Sequence, residues 1–309
     1  MINLHRLRIL MELQRQGTLA EVAAELGYTP SAISQQLNAL EREVGTRLLE
    51  RVGRNVRLTD AAVTLTRHGA AIFAAVDEAE SDLASLQGPV QGSVRVASFS
   101  SVLLSLAPQA LTHLSSSFPD LEVQLIQREV DEAQEGLLSH AFDLVLGEEF
   151  PGEPMPSPAG LQREDLYSDP LRLVAPTSID GLPEPEHLSE FHEVPWSAEP
   201  KDSRMGRWVS RLHGRANIAP RIICETLDPL LLVQMARTGQ SVSIIPGVLG
   251  AEYLSGVALF DLPGNPTRNL YTEVRAGRDR HPALVAVREA FAHAADQFRT
   301  HPSTGALAW

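Results

Sequence analysis

The pair Gly88-Pro89 divides the sequence into two parts with different periodicities. Before it, apolar residues recur at steps of three and four, as on one face of a helix. Beyond it, short apolar runs exchange with helical stretches. Proline lacks an N–H and restricts the residue before it, so a long helix stops here. In the second part "GSVRVAS", "LEVQLIQ" and "FDLVLG" read as strands, separated by helices over "SSVLLSLAPQALTHLSSSFP" and "VDEAQEGLLSHA". The alternation restarts with strands "LRLVAP", "RIICE" and "SVSIIP" and helices "SRMGRWVSRLHG" and "DPLLLVQMARTG". It closes on the strand "NLYTEVRAG" and the helix "PALVAVREAFAHAADQF". Such alternation predicts open parallel sheets with helices on both faces, and its two runs predict two lobes. The final "THPSTGALAW" reads as a loose tail, with Trp309 a candidate to dock.

A chain of 309 residues, 43% of them hydrophobic, is long enough for two domains or more. No apolar run is long enough for a membrane helix. The N-terminal "MINLHRLRILMELQRQG" is too charged for a signal peptide. Cys224 is the single cysteine, so no internal disulfide forms, and a cytoplasmic location is expected. The net charge of −13 argues against a protein that coats nucleic acid, but it is unevenly placed. Residues 1–60 carry +1 and the remainder −14, a near-neutral head on an acidic body. Lys201 is the only lysine, which reads as coding bias.

In the head, "YTPSAISQQLNALEREVG" begins with Thr29, a good N-cap, and Pro30 at the first helical position, where a missing N–H costs nothing. Ile33, Leu37, Leu40 and Val44 form one apolar stripe. Ser31, Gln35, Asn38 and Arg42 occupy the opposite face, with Ser34 beside them. The preceding "LAEVAAEL" is a helix, Gly27 makes the turn, and Ala23-Ala24 lets the helices cross closely. This is a helix-turn-helix pattern. Gln and Asn pair bidentately with adenine in the major groove, and Ser reaches bases or phosphates. The following "RLLERVGRNVRLT" predicts a hairpin turning at Gly53-Arg54-Asn55. Its Arg51, Arg54 and Arg57 suit phosphate or minor-groove contacts. An ordinary helical hairpin with a solvated polar face would show much of the same pattern.

The segment "LRILMELQRQGTLAEVAAELGYTPSAISQQLNALEREVGTRLLERVGRNVRLTDAA" resembles the winged helix-turn-helix of LysR-type transcriptional regulators. The matching pieces are Ala23-Ala24, Ser31-Ala32-Ile33-Ser34, Leu40-Glu41, Gly45, Leu48 to Arg51 and Leu58-Thr59. Leu49, Ala62 and Thr18-Leu19 depart from that pattern as conservative packing changes. The resemblance implies a winged helix-turn-helix N-terminal domain (residues 1–59), a long dimerising linker helix (60–88) and an α/β effector domain resembling periplasmic binding proteins (89–309). Lobe I would take residues 89–162 and 267–300, and lobe II residues 163–266.

Along the linker, Leu65, Gly69, Ile72, Val76, Ala79, Leu83 and Leu86 alternate steps of four and three, which is a heptad seam. A helix packed on its own domain would also produce a seam this short. In the body, ligands of open α/β sheets sit beyond the C-terminal strand ends. The candidates there are Ser98, Phe99, Ser100 and Ser101; Gln127, Arg128 and Glu129; and Gly147, Glu148 and Glu149. In lobe II they are Ser197, Glu199, Thr226 and Pro246. The serines also read as plain helix caps, Glu148-Glu149 as a solvated loop, and Cys224 as an inert strand residue. The histidines lack ligand spacing, and no nucleophile elbow or phosphate loop is present in the sequence, so no metal, cofactor or enzymatic activity is expected.

The sequence therefore predicts a ligand-responsive DNA-binding regulator, a homodimer or homotetramer on an inverted-repeat duplex operator. RNA polymerase is a further candidate partner. The effector is expected between the lobes, an amino acid or amine, with helix N-termini after Ser100-Ser101 and at Asp228-Pro229 taking a carboxylate. Two rivals are an enzyme of binding-protein-like fold with an accessory DNA-binding head, and a DNA binder without a ligand.

Overall fold

The computed structural model describes residues 1–53, 55–86, 88–154, 156–178, 186–298 and 304–308. By packing, the chain divides into two compact units, Met1–Ala84 with Arg275–Arg280, and Ser85–Val274 with His281–Trp309.

The first unit opens with α1 (Leu4–Gln16), α2 (Leu19–Leu26) and α3 (Pro30–Val44). Each is delimited as its sequence dictates. The side chains of Asn3, Thr18 and Thr29 accept backbone N–H bonds as N-caps, and Gly17, Gly27 and Gly45 take left-handed conformations at the C-termini. Ile33, Leu37 and Leu40 of α3 are fully buried against Ile9, Leu10, Val22 and Ala23. Ala23 alone of the alanine pair is buried; Ala24 is exposed. Strands β1 (Leu49–Val52) and β2 (Asn55–Leu58) form the antiparallel hairpin, with Gly53 at φ 63° in the turn. The Glu41 carboxylate accepts the backbone N–H groups of Leu48 and Leu49 at 2.7 and 3.0 Å, which pins the hairpin to α3.

Helix α4 (Asp60–Ser85) follows, its first turn capped by the Thr59 hydroxyl. Its apolar positions divide between two environments. Leu65 packs on the core of the head, and Gly69 lies so close to α1 that a Cβ there would stand 2.7 Å from Met11 Sδ. Ile72 is half-buried, whereas Val76, Ala79, Leu83 and Leu86 are exposed. On another face, buried Asp77 pairs with Arg275 at 3.2 Å and the Ser81 hydroxyl donates to the Gly277 carbonyl.

The second unit contains β3 (Gly92–Ser98), α5 (Ser100–Ser105), α6 (Ala107–Ser117), β4 (Leu121–Gln127), α7 (Val130–Leu138), β5 (Leu144–Glu149) and β6 (Leu161–Ala175). A short 3-10 turn at Leu188–His192 precedes β7 (Pro195–Ala198), α8 (Arg204–Arg215), β8 (Arg221–Glu225) and α9 (Pro229–Arg237). Next come β9 (Ser243–Pro246), β10 (Ala258–Asp261), β11 (Thr267–Arg275), α10 (Pro282–Gln297) and β12 (Gly305–Ala306). The main sheet runs β12-β10-β6-β11-β5-β3-β4, with β9 also on β6, and β7-β8 forms a separate pair.

Four expectations are corrected here. The sheets are mixed: β3 is parallel to β4 and β5, but β11 runs antiparallel to β5, and β9 and β10 run antiparallel to β6. The expected single helix after β3 is broken at Leu106, because Pro108 has no N–H to continue α5 into α6. The tail is a sheet edge: β12 lies parallel to β10 and Leu307 is buried, while Trp309 lies outside the described residues. The passage between lobe cores falls inside β6, since Leu166 and Tyr167 pack on the core around Phe291 and α10, but Leu171 and Leu173 pack with Trp196 and Phe260. Phe150 joins that second core as well.

Candidate functional site

Two places carry candidate functional side chains, the polar face of α3 with its hairpin, and the cleft between the lobes of the second unit. On α3 the buried stripe leaves Ser31, Gln35, Asn38 and Arg42 exposed, with Ser34 half-buried and Thr29 and Pro30 exposed at the entry. Gln36 is different. It accepts from Arg6 Nε at 3.0 Å and is spent on holding α1. Gln35 and Asn38 thus stand three residues apart on the open face. Arg51 and Arg57 are exposed on the hairpin. They do not form one cluster: Arg57 stands opposite Glu50 and bonds it at 2.9 Å, whereas Arg51 stands opposite Val56. Residues 50 and 57 are paired, as are 51 and 56, and successive strand residues face opposite ways, so the two arginines project from opposite faces of the hairpin. Arg54 lies outside the described residues, and of Asn55 only the strand backbone is described.

In the second unit, strand alternation sorts the candidates. The cleft is lined by Phe99, Ser100, Ser101, Glu129, Glu148, Glu199 and Pro246 among them, joined by Met205, Leu227, Pro229, Leu232 and Arg268. Ser98 does not reach it; its hydroxyl donates to the Leu146 carbonyl inside the sheet. Gly147 backs onto the Tyr271 ring, which would clash with any Cβ there. Ser197 is wholly buried and shares a 2.6 Å bond with Ser241. Thr226 accepts the Asp228 N–H in a turn, and exposed Gln127 donates to the Ser100 hydroxyl from the flank. Arg128 points outward to Glu132 and its neighbour's carbonyl, and Glu149 pairs with Arg163. The expectation fails for these residues because a strand end delivers every second side chain to one face.

Arg268 on β11 organises the cleft, and sequence reasoning does not find it. Arg268 is 2% exposed, and its guanidinium donates to buried Asp169 at 2.8 Å, to Glu148, and to the Ser101 hydroxyl at 2.9 Å. Burial acts to lower its pKa, and the Asp169 and Glu148 carboxylates more than reverse that. Burial pushes Asp169 up to about 6 although Arg268 opposes the shift. Arg268 is the only cation lining the cleft among the described residues, and two acids already neutralise it. Glu129 and Glu199 have no ion-pair partner among the described residues. Burial raises Glu129, and the Glu148 charge adds to the rise. Burial, then Glu148, pushes Glu199 up to about 8, although the Ser203 hydroxyl donates to it at 2.8 Å. The cleft is therefore acidic and short of positive charge. It is also closed, with about 20 Å³ of free space, room for little more than one water. Among the described residues no three His, Cys, Asp or Glu side chains converge to hold a metal ion.

The expected carboxylate site fares less well. Helix α9 starts with its Leu230 N–H already bonded to the Asp228 carboxylate at 2.9 Å, and α5 has only six residues.

Residues 4–63 match the model of the bacterial regulatory helix-turn-helix protein, lysR family, and residues 87–296 match the LysR substrate binding domain. The chain belongs to the LysR family of transcriptional regulators. It is 26% identical to the HTH-type transcriptional regulator CbbR of Rhodospirillum rubrum, over 92% of this chain and 94% of that one. A full-length OxyR variant from Pseudomonas aeruginosa has the same fold at a TM-score of 0.61 and 15% identity, covering 94% of this chain and 98% of its own. Full-length CbnR solved with its target DNA superposes with a TM-score of 0.51 and 22% identity, over 95% of this chain and the whole of that one. As a LysR-type regulator the chain carries a DNA-binding head and an effector-binding domain. Among its described residues no helix is long and apolar enough to cross a membrane.

Proposed function

We propose that this regulator is controlled by a cationic small molecule, an amine or guanidinium, that enters the cleft between the lobes. The observation that carries this reading is the pair of glutamates without an ion-pair partner among the described residues, Glu129 and Glu199, beside Glu148 in a cleft where Arg268 is already neutralised. A buried cation favours the ionised forms of Glu129 and Glu199, which burial and the Glu148 charge disfavour, and gains charge-assisted hydrogen bonds. The free space is too small for such a molecule, so binding opens the lobes, and the differential affinity for the open form drives the change. The chain acts as a regulator and not as a catalyst, in the cytoplasm, where DNA is its target. Calorimetry of the full chain with agmatine, putrescine and succinate tests the reading. Agmatine or putrescine is expected to bind and succinate to fail. Tight binding of succinate, undisturbed by Glu129→Gln, would falsify it.

Gln35 and Asn38 are proposed to read bases, while Arg51 holds the backbone. Gln35→Ala and Asn38→Ala should each cost about 1–3 kcal/mol on the preferred operator and flatten the preference among sequences. Arg51→Ala should weaken all duplexes alike and reduce the dependence of binding on salt. An operator preference that survives both helix substitutions would move base reading elsewhere.

The exposed stripe Val76, Ala79 and Leu83 on α4, continued at Leu86, is proposed as the dimer seam, with Leu65 and Ile72 nearer the head. Leu83→Asp places a charge on that stripe at a position 60% exposed in the single chain, so the fold is spared. Sedimentation is expected to show monomers; an unchanged dimer that still binds operator would exclude this seam.

A further inference from the structure

We propose that lobe II carries a second ligand site, for a small apolar carboxylate, in the cavity between α8 and β8. This cavity has a volume of about 430 Å³, whereas the cleft leaves only about 20 Å³. Pockets for small organic molecules span roughly 300–1,000 Å³, so this cavity admits one without rearrangement. Its apolar walls are Val209 and Ile218, both buried, and the partly exposed Ile222.

The polar groups determine the ligand's charge. His213 is 5% exposed, its ring meets Trp196 edge-on at 4.4 Å between centroids, and its Nε2 has no hydrogen-bond partner among the described residues. Burial, and then the Lys201 charge, lowers His213 to about 4, so it is neutral at physiological pH. Lys201 thus stands near the imidazole, and among the described residues it has no ion-pair partner. Two acids also line the cavity. Glu199, pushed up to about 8, holds its proton near neutrality and offers an O–H donor. Glu225 is exposed, where water screens it. A carboxylate therefore meets an unpaired ammonium and a carboxylic acid donor, and its hydrocarbon part covers the apolar wall. A cation would meet Lys201 instead.

The test uses the full chain and hexanoate, hexanol and hexylamine as probes, followed by calorimetry and by tryptophan fluorescence, since Trp196 touches His213. Two surface variants separate the contributions: Lys201→Gln removes the charge, and Ala219→Trp fills the cavity from an exposed position. Hexanoate is expected to bind more tightly than hexanol, and Lys201→Gln to weaken it about fivefold, the scale of a solvent-exposed ion pair, while leaving hexanol unchanged. Ala219→Trp should weaken both. The proposal is overturned if hexanoate does not bind, if Ala219→Trp leaves its affinity intact, or if hexylamine binds the same cavity more tightly. Hexanoate binding that Lys201→Gln does not alter removes the carboxylate assignment.

Discussion

Arg268→Met is expected to destabilise the effector domain by about 3–5 kcal/mol, the cost of breaking a buried ion pair from one side. The substitution leaves Glu148 and Asp169 buried beside each other without the guanidinium that both contact. It also strips the Ser101 hydroxyl of its donor. The loss should shrink at low pH, because a buried carboxyl without a counter-charge is tolerated once protonated. Adding Asp169→Asn and Glu148→Gln to Arg268→Met should recover most of the stability, since neutral amides need no counter-ion. Denaturant unfolding at neutral and acid pH measures all of this. An unchanged midpoint for Arg268→Met would mean that the cluster carries no net energy in folding.

Glu199→Gln is the second large effect, and it acts on both stability and ligand binding. The folded carboxyl titrates near 8, above its ordinary value of 4.5, so the folded protein holds a proton that the unfolded chain releases. The associated stability is fully present below the ordinary carboxylate range and is lost as pH rises toward and through 8. Glutamine keeps the shape and removes the titration, so the variant should lose less stability between neutral pH and pH 9 than the wild type does. Solvent at this half-buried group screens much of the shift, leaving about 1 kcal/mol at pH 9. Cation binding should fall about tenfold or more, because a charge-assisted contact is lost. In the wild type the cation should bind better as pH rises through 8, with proton release visible in calorimetry across buffers of different ionisation enthalpy. A slope identical in wild type and variant would assign the proton to another group.

The head is nearly all written in local sequence. Thr29, Pro30 and Gly45 delimit α3, and the spacing of Ile33, Leu37 and Leu40 decides which face is buried and leaves Gln35 and Asn38 outside. Capping and helical period involve neighbours within a few residues, so no distant partner is needed to foresee them. The alternation of the body announces two α/β lobes for the same reason. The linker is intermediate: its apolar period is visible, but the division between Gly69, against Met11, and Leu83, left open, depends on where α1 packs.

The cleft is legible only in part. Glu129, Glu148 and Glu199 follow strand ends and are marked by position, but so are Ser98, Gly147, Ser197 and Thr226, which turn inward or sideways. The pleat allows only alternate residues to face a ligand, and register against the neighbouring strand selects the set. Arg268 gives no local signal, since an arginine at the start of a strand normally reads as exposed. It becomes the centre of the site because β11 returns antiparallel beside β5 and brings residue 268 to Asp169 and Glu148, 99 and 120 positions away. The edge strand in the tail arises in the same way, from β10 offering an open edge to Gly305 and Ala306. Short-range sterics and capping determined most of the elements and the exposed polar face of α3 from the sequence alone. Long-range strand pairing, whose energy depends on partners distant in the chain, decided which charges meet in the cleft.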